Sequence, residues 1–211
     1  MKIVIVDYGI GNVKSIFNVL AQFDNIDIVL SDDHAEILDA DGIILPGVGA
    51  FKKAIEELEK RRLPKVLSKY ISLNKPLLGI CLGMQLLFDS SEEFGLTKGL
   101  GFLSGKVSSF SHDLKGKLPH VGWNSAIKTN IDPKDVLFGG IKDRDVFYFV
   151  HSYVCQPNDK KIILSKTIYL GLEFCSSVQK GNIYGCQFHP EKSSTSGIKL
   201  IKNFIEIVRS R

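Results

Sequence analysis

The chain has 211 residues, 44% apolar and 24% charged, with 27 basic against 23 acidic side chains and a formal charge of +4. That is enough for one domain with a sizeable core, here taken as 1–211, and the charge balance is ordinary. Basic residues are scattered without aromatic interleaving, no apolar run approaches ~18 residues, and Asp7 interrupts the N-terminal apolar run early, so no nucleic acid, no membrane and no secretory leader are expected.

In chain order, Lys2–Tyr8 (KIVIVDY) is a β-branched run of the buried parallel type. Gly9 and Gly11 follow, and then Val13, Ile16, Phe17, Leu20 and Phe23 recur at helical spacing, with Asn12 as N-cap. Gly9-Ile10-Gly11 is a weak start to a dinucleotide fingerprint, because Lys14 occupies the third glycine's place; a tight strand-to-helix turn explains it as well. Ile26–Leu30 reads as a second strand and Ser31–Asp41 as a short acidic helix. GIILPGVGAF is a strand, a Gly/Pro turn and the start of a charged helix reaching Arg62. Pro64 opens another helix that ends near Asn74. Leu77–Ile80 is a strand, and Leu82–Phe88 looks helical. Beyond Gly99 the texture is β-rich: GFLSGKVSSF, NSAIKT, DVFYFVHSYV, KIILSKTI and NIYGCQF. Gly197–Arg209 closes the chain as an amphipathic helix with Ile198, Ile201, Ile205 and Val208 on its buried stripe. The pattern predicts a single α/β domain around a mixed, mostly parallel sheet flanked by helices.

The four cysteines (Cys81, Cys155, Cys175 and Cys186) contain no CxxC pair and read as reduced thiols of a cytoplasmic protein. Cys81 differs from the others. Gly79-Ile80-Cys81-Leu82-Gly83 stands where a strand becomes a helix, the pattern of a nucleophile elbow with sulfur in place of oxygen. A turn that sharp needs small residues two places to either side and lifts the side chain out of the sheet. A buried cysteine in a glycine-rich turn is the plainer alternative. A free thiol, with a pKa of about 8.5, needs a base to become a nucleophile at neutral pH.

Five histidines offer themselves as that base. His34 and His112 lie among polar residues, and His120 and His151 are ambiguous. His189, in QFHPEKSS, follows an apolar strand, and Pro190 disfavours helix at His189. Residues two apart in an extended segment share a side, so Glu191 can orient the His189 ring. In LPGVGAF, Gly47 and Gly49 free the backbone to aim amides at an oxyanion, with the Leu82 amide as a second donor. A plain helix-starting turn is the competing reading.

PGVGAF, GICLGMQLLF and QFHPEKS together resemble the class I glutamine amidotransferases. DYGIGN, LPHVGWN and FYFVHSY extend the likeness over the whole chain, toward the branch of glutaminase subunits of imidazole glycerol phosphate synthases. The resemblance implies a flavodoxin-like fold, no cofactor and no metal. It implies that Cys81, His189 and Glu191 form a triad that hydrolyses L-glutamine through a thioester. Val48, Gly49 and Leu82 match the oxyanion hole; Gly47, Gln85, Glu93, Ser152 and Tyr153 match the substrate site. Ser152 stands where the family often has Thr. Ammonia would pass to a (β/α)₈-barrel cyclase subunit in a heterodimer that makes imidazole glycerol phosphate and AICAR in histidine biosynthesis. Asn12, Trp123, Tyr148 and Lys192 match positions near that contact. Two alternatives share the scaffold: the same glutaminase serving amidation of surface sugars, and a free-standing cysteine γ-glutamyl hydrolase. A non-catalytic interaction module is a third reading, disfavoured by the intact Cys, His and Glu.

Overall fold

The structure, a computed structural model, describes residues 1–110, 118–129 and 136–211. His112 lies outside the described residues. The first half alternates: β1 (Lys2–Val6), α1 (Val13–Leu20), β2 (Asp27–Ser31), α2 (His34–Asp39), β3 (Gly42–Leu45), α3 (Phe51–Lys60), α4 (Leu63–Ser72), β4 (Leu77–Ile80) and α5 (Leu82–Leu86). The second half is largely strands: β5 (Phe88–Ser91), β6 (Thr97–Lys98), β7 (Leu103–Ser109), β8 (His120–Ser125), β9 (Ile127–Lys128), β10 (Val146–His151), β11 (Tyr153–Pro157), β12 (Ile163–Tyr169), β13 (Leu172–Lys180) and β14 (Ile183–Cys186). A 3₁₀ turn (Pro190–Lys192) leads into α6 (Ser194–Arg209).

Strands β2, β1, β3, β4 and β14 lie side by side in parallel. Four of them, β1, β3, β4 and β14, are buried along almost their whole length, as expected of a sheet covered on both faces. Antiparallel pairing of β14 with β13, and onward through β11 and β7, extends the sheet toward β5 and β6. Strands β8 and β10 form a separate two-stranded ribbon. Two apolar layers sandwich the large sheet. One holds Phe51, Leu67, Tyr70 and Phe88 beneath α3 and α4; the other holds Phe147, Phe188, Leu200 and Phe204 beneath α6.

Local differences from the sequence reading have physical causes. Asn12 occupies the N-cap of α1, but its side chain makes no capping bond. Phe17 points to solvent, so the buried face of α1 is Ile16, Val19 and Leu20. The acidic helix is shorter than expected because the Asp33 carboxylate caps it, accepting from the Ala35 and Glu36 amides at 2.9 and 3.0 Å. Phe88 does not continue α5; it begins β5, which pairs with β7 in parallel. The short β6 was not anticipated, and neither were the bounds of the long β13 around Cys175. β13 carries LEFCSSVQK, where serines interrupt the apolar alternation, yet Ser176 and Ser177 are fully buried and bonded to Ser165 Oγ at 2.9 and 2.6 Å. α6 starts three residues early, at Ser194.

Candidate active site

The site grows from the end of β4. Cys81 follows directly, with φ 55° and ψ −113°, a conformation that an L-residue adopts only under strain. Its amide donates to the Cys186 carbonyl at 2.7 Å, and its own carbonyl accepts from Met84 and Gln85 as α5 begins. The flanking glycines are dictated by space. A Cβ on Gly79 would lie 2.8 Å from the Gly83 carbonyl oxygen, and one on Gly83 would lie 1.9 Å from the Leu45 carbonyl oxygen. Gly83→Ala is therefore expected to cost about 3 kcal/mol or more, or to abolish folding, as measured by urea unfolding; a near-neutral effect would contradict this packing.

The 45–49 segment rests against this turn. Tyr8 donates its hydroxyl to the Pro46 carbonyl at 2.8 Å, and a Cβ on Gly47 would meet the Gly83 amide and the Leu82 side chain. Gly47 is thus buried behind the site, while Val48 and Gly49 (φ +87°) reach its mouth. The Gly9–Gly11 turn packs here as well, with Gly11 against the Pro46 ring.

Cys81 opens onto a cavity of about 400 Å³ bordered by Val48, Gly49, Gln85, Glu93, Ser152, Tyr153 and His189. Leu82, the first residue of α5, adjoins it through the chain. The cysteine is only 5% exposed. Its sulfur faces the Val150 carbonyl at 3.8 Å and receives the Gln187 Nε2–H at 3.7 Å. His189 is buried and extended (φ −98°, ψ 94°), with its amide bonded to the Tyr148 carbonyl. Its Nδ1 meets Glu191 Oε1 at 2.9 Å, both side chains being sealed from water. Glu191 reaches the ring from a 3₁₀ turn rather than from the extended segment the sequence suggested. The His189 carbonyl anchors that turn by accepting from the Lys192 amide and the Ser193 hydroxyl.

His189 Nε2 is buried with no hydrogen bond formed. Burial works against the imidazolium, but the neighbouring Cys81 sulfur and the Glu191 carboxylate outweigh it and push the ring up to about 10. Cys155, Cys175 and Cys186 sit in the core, where burial pushes their thiols up, Cys175 to about 12. Such thiols are inert.

The remaining expected residues fall into two places. Gln85 donates both N–H bonds, to the Tyr153 carbonyl (3.1 Å) and Gln187 Oε1 (2.9 Å), so it can offer a ligand only its oxygen. Glu93 lines the cavity and accepts the first amide of α3, from Phe51. Asn12, Trp123, Tyr148 and Lys192 are not in the cavity. The Trp123 and Tyr148 rings meet edge-on at 6.1 Å on the β8–β10 ribbon. Strand β10 and helix α1 both contact the turn that carries Lys192. His34 is exposed and bonds the Arg61 carbonyl, away from the site.

Sequence reasoning missed Gln187, although it stands two residues before His189 and strand alternation could have placed them on one side. It also missed Phe94 and Pro119 at the cavity mouth. His120 and His151 are buried and paired through Nδ1 and Nε2 at 3.0 Å, and burial pushes them down to about 4 and about 3. Groups lowered on folding stabilise fully above their ordinary value of 6.5 and lose that contribution as pH falls. Stability of the parent is therefore expected to drop from pH 6.5 toward about 4 more steeply than in His120→Phe, as followed by urea midpoints.

Among the described residues no helix is long and apolar enough to cross a membrane, and no cluster of three or more metal-ligating side chains occurs. The profile of the family described as glutamine amidotransferase class-I matches residues 4–208. The imidazole glycerol phosphate synthase subunit HisH 2 of Vibrio vulnificus is 46% identical over 99% of this chain and 96% of its own length. The HisH subunits of Chlorobium luteolum and Aquifex aeolicus are 44% and 43% identical, over 96% and 97% of this chain and 98% and 96% of theirs. Among solved structures, a chain of PurLQS from Thermotoga maritima superposes with a TM-score of 0.71 at 19% identity, over 98% of this chain and 98% of that one. A glutamine amidotransferase superposes at 0.74 with 16% identity, over 98% of both chains. These two likenesses show the fold.

Proposed function

The chain belongs to the class I glutamine amidotransferases and, within them, to the imidazole glycerol phosphate synthase HisH subunits, and we propose that the cavity at Cys81 is where it releases ammonia from L-glutamine. The observation that carries this reading is the strained thiol sharing one cavity with an imidazole that Glu191 holds at 2.9 Å.

In the proposed cycle His189 Nε2 takes the Cys81 thiol proton as the sulfur adds to the side-chain amide carbon, and the oxygen gathers negative charge between the backbone amides of Val48, Gly49 and Leu82. The C–N bond breaks as His189 Nε2 gives its proton to the departing nitrogen, which leaves as ammonia. A γ-glutamyl thioester remains. Water then attacks that carbon and His189 takes one of its protons. The C–S bond breaks, releasing glutamate and restoring the thiol–imidazole pair. Glu191 fixes the ring and stabilises the imidazolium. The Gln85 oxygen, Glu93, Ser152 and Tyr153 bind the amino-acid end, and Gly47 lets the 45–49 segment lie close to the elbow.

We further propose that the ammonia goes to a (β/α)₈-barrel cyclase partner in the cytoplasm, in a complex that makes imidazole glycerol phosphate and AICAR for histidine synthesis, and that residues 1–211 work as one glutaminase domain. The exposed Trp123 (54%), its neighbour Tyr148, and Asn12 and Lys192 around the 190–192 turn form the contact. The test is glutamine hydrolysis with and without an added barrel partner and its acceptor. Many-fold stimulation is expected, and Lys192→Ala should reduce the stimulation while leaving unstimulated turnover within about twofold. Full activity without a partner would favour a free-standing hydrolase instead.

A further inference from the structure

A chain of hydrogen bonds runs from the β8–β10 ribbon to the nucleophile, and its direction is fixed at both ends. At the outer end, Asn124 Oδ1 accepts the Ser125 amide at 2.8 Å. Its Nδ2 must therefore donate, and it does so to the Ile168 carbonyl (2.9 Å) and to His120 Nε2 (3.3 Å). At the inner end, His151 Nδ1 lies 2.9 Å from the Tyr153 carbonyl, which can only accept. Between them His120 Nδ1 meets His151 Nε2 at 3.0 Å. Only one proton arrangement satisfies all four ring nitrogens: both rings neutral, both with hydrogen on Nδ1, the less common form of free imidazole. A further proton would set N–H against N–H at one of these contacts.

The same carbonyl of Tyr153 accepts from Gln85, Gln85 donates to Gln187, and Gln187 donates to the Cys81 sulfur. His120 does not border the cavity, and it is stacked on Phe149 and Tyr169 with ring centroids 4.9 and 3.9 Å away. Packing alone would be served by a phenyl ring, which leaves the ordered donors of this pair unexplained by the core. We propose that His120 and His151 are positioning residues of the glutaminase reaction: locked as a pair of Nδ1–H tautomers, they hold the Tyr153 carbonyl and so aim Gln85 at the substrate and the Gln187 N–H at the sulfur. This rests on the glutaminase reading of the Cys81 cavity.

Two measurements test it. In the full-length parent labelled with ¹⁵N-histidine, long-range ¹H–¹⁵N correlation at neutral pH should show two rings neutral with hydrogen on Nδ1. In glutamine hydrolysis, His120→Phe should lower kcat/KM about tenfold, the effect of one lost buried hydrogen bond, while His120→Asn, which keeps a donor where Nδ1 stood, should recover most of it. Either ring protonated on Nε2, a His120→Phe enzyme as active as the parent, or a His120→Asn enzyme no better than His120→Phe would overturn the proposal. The ring measurement uses the parent, so it decides even where His120→Phe does not fold. A parent with the expected tautomers but no glutaminase activity would instead remove the reading beneath it.

Discussion

Cys81→Ala is expected to lower glutamine turnover by at least about 10⁴-fold, to the background of the assay, with the fold intact. The sulfur is the atom that carries the γ-glutamyl group between the two half-reactions, and no other described thiol can replace it. Cys155, Cys175 and Cys186 are buried in the core, where the thiolate is disfavoured. Removing the nucleophile of a triad enzyme commonly costs about 10⁴ to 10⁶ in kcat. The fold should survive because the turn is held by the Cys81 backbone and by the glycines, not by the sulfur. The strained φ of 55° remains with alanine and is relieved with glycine. Cys81→Gly should therefore be more stable than Cys81→Ala by ~1 kcal/mol and equally inactive. Thermal unfolding beside an ammonia-release assay reads both outcomes. Retained turnover in either variant would refute the role given to the sulfur.

Glu191→Gln should have the next largest effect, a loss of ~10³-fold in kcat with KM within a few-fold. The carboxylate is sealed from solvent against His189 Nδ1. An amide of the same shape can still accept the Nδ1 hydrogen, so ring placement survives, but the charge that supports the imidazolium does not. Burial opposes the charged ring, and the sulfur and the carboxylate together overcome it. With one of the two removed, the imidazolium loses its proton at lower pH. The alkaline limb of the kcat profile should move toward neutrality, and a profile that keeps its position would show that Glu191 serves packing alone.

Much of this was legible in the sequence because the determinants are local. The β4–α5 turn was readable because only glycine fits at positions 79 and 83, where neighbouring backbone comes within 2.8 and 1.9 Å of an added Cβ. The parallel strands were readable because burial on both faces leaves unbroken apolar runs such as IVIV and GIIL. The full extent of β13 was not, since its buried serines are satisfied by Ser165 on β12, a partner that no local pattern announces. The same holds for the His120–His151 pair and for Gln187. Each acquires its meaning from a residue at least 31 positions away, across a strand pairing rather than along one. Glu191 shows a correct contact reached by a different backbone, a 3₁₀ turn set by the Ser193 hydroxyl.

The central claim is that the Cys81 sulfur is the group that receives the acyl part of glutamine. Incubation with a glutamine-shaped chloroketone, followed by peptide mass spectrometry, tests it most directly. One adduct, on the peptide bearing Cys81 and suppressed by excess glutamine, is the predicted result. Labelling of Cys155, Cys175 or Cys186 instead, or glutamine hydrolysis that continues at full rate in protein carrying the adduct, would contradict it.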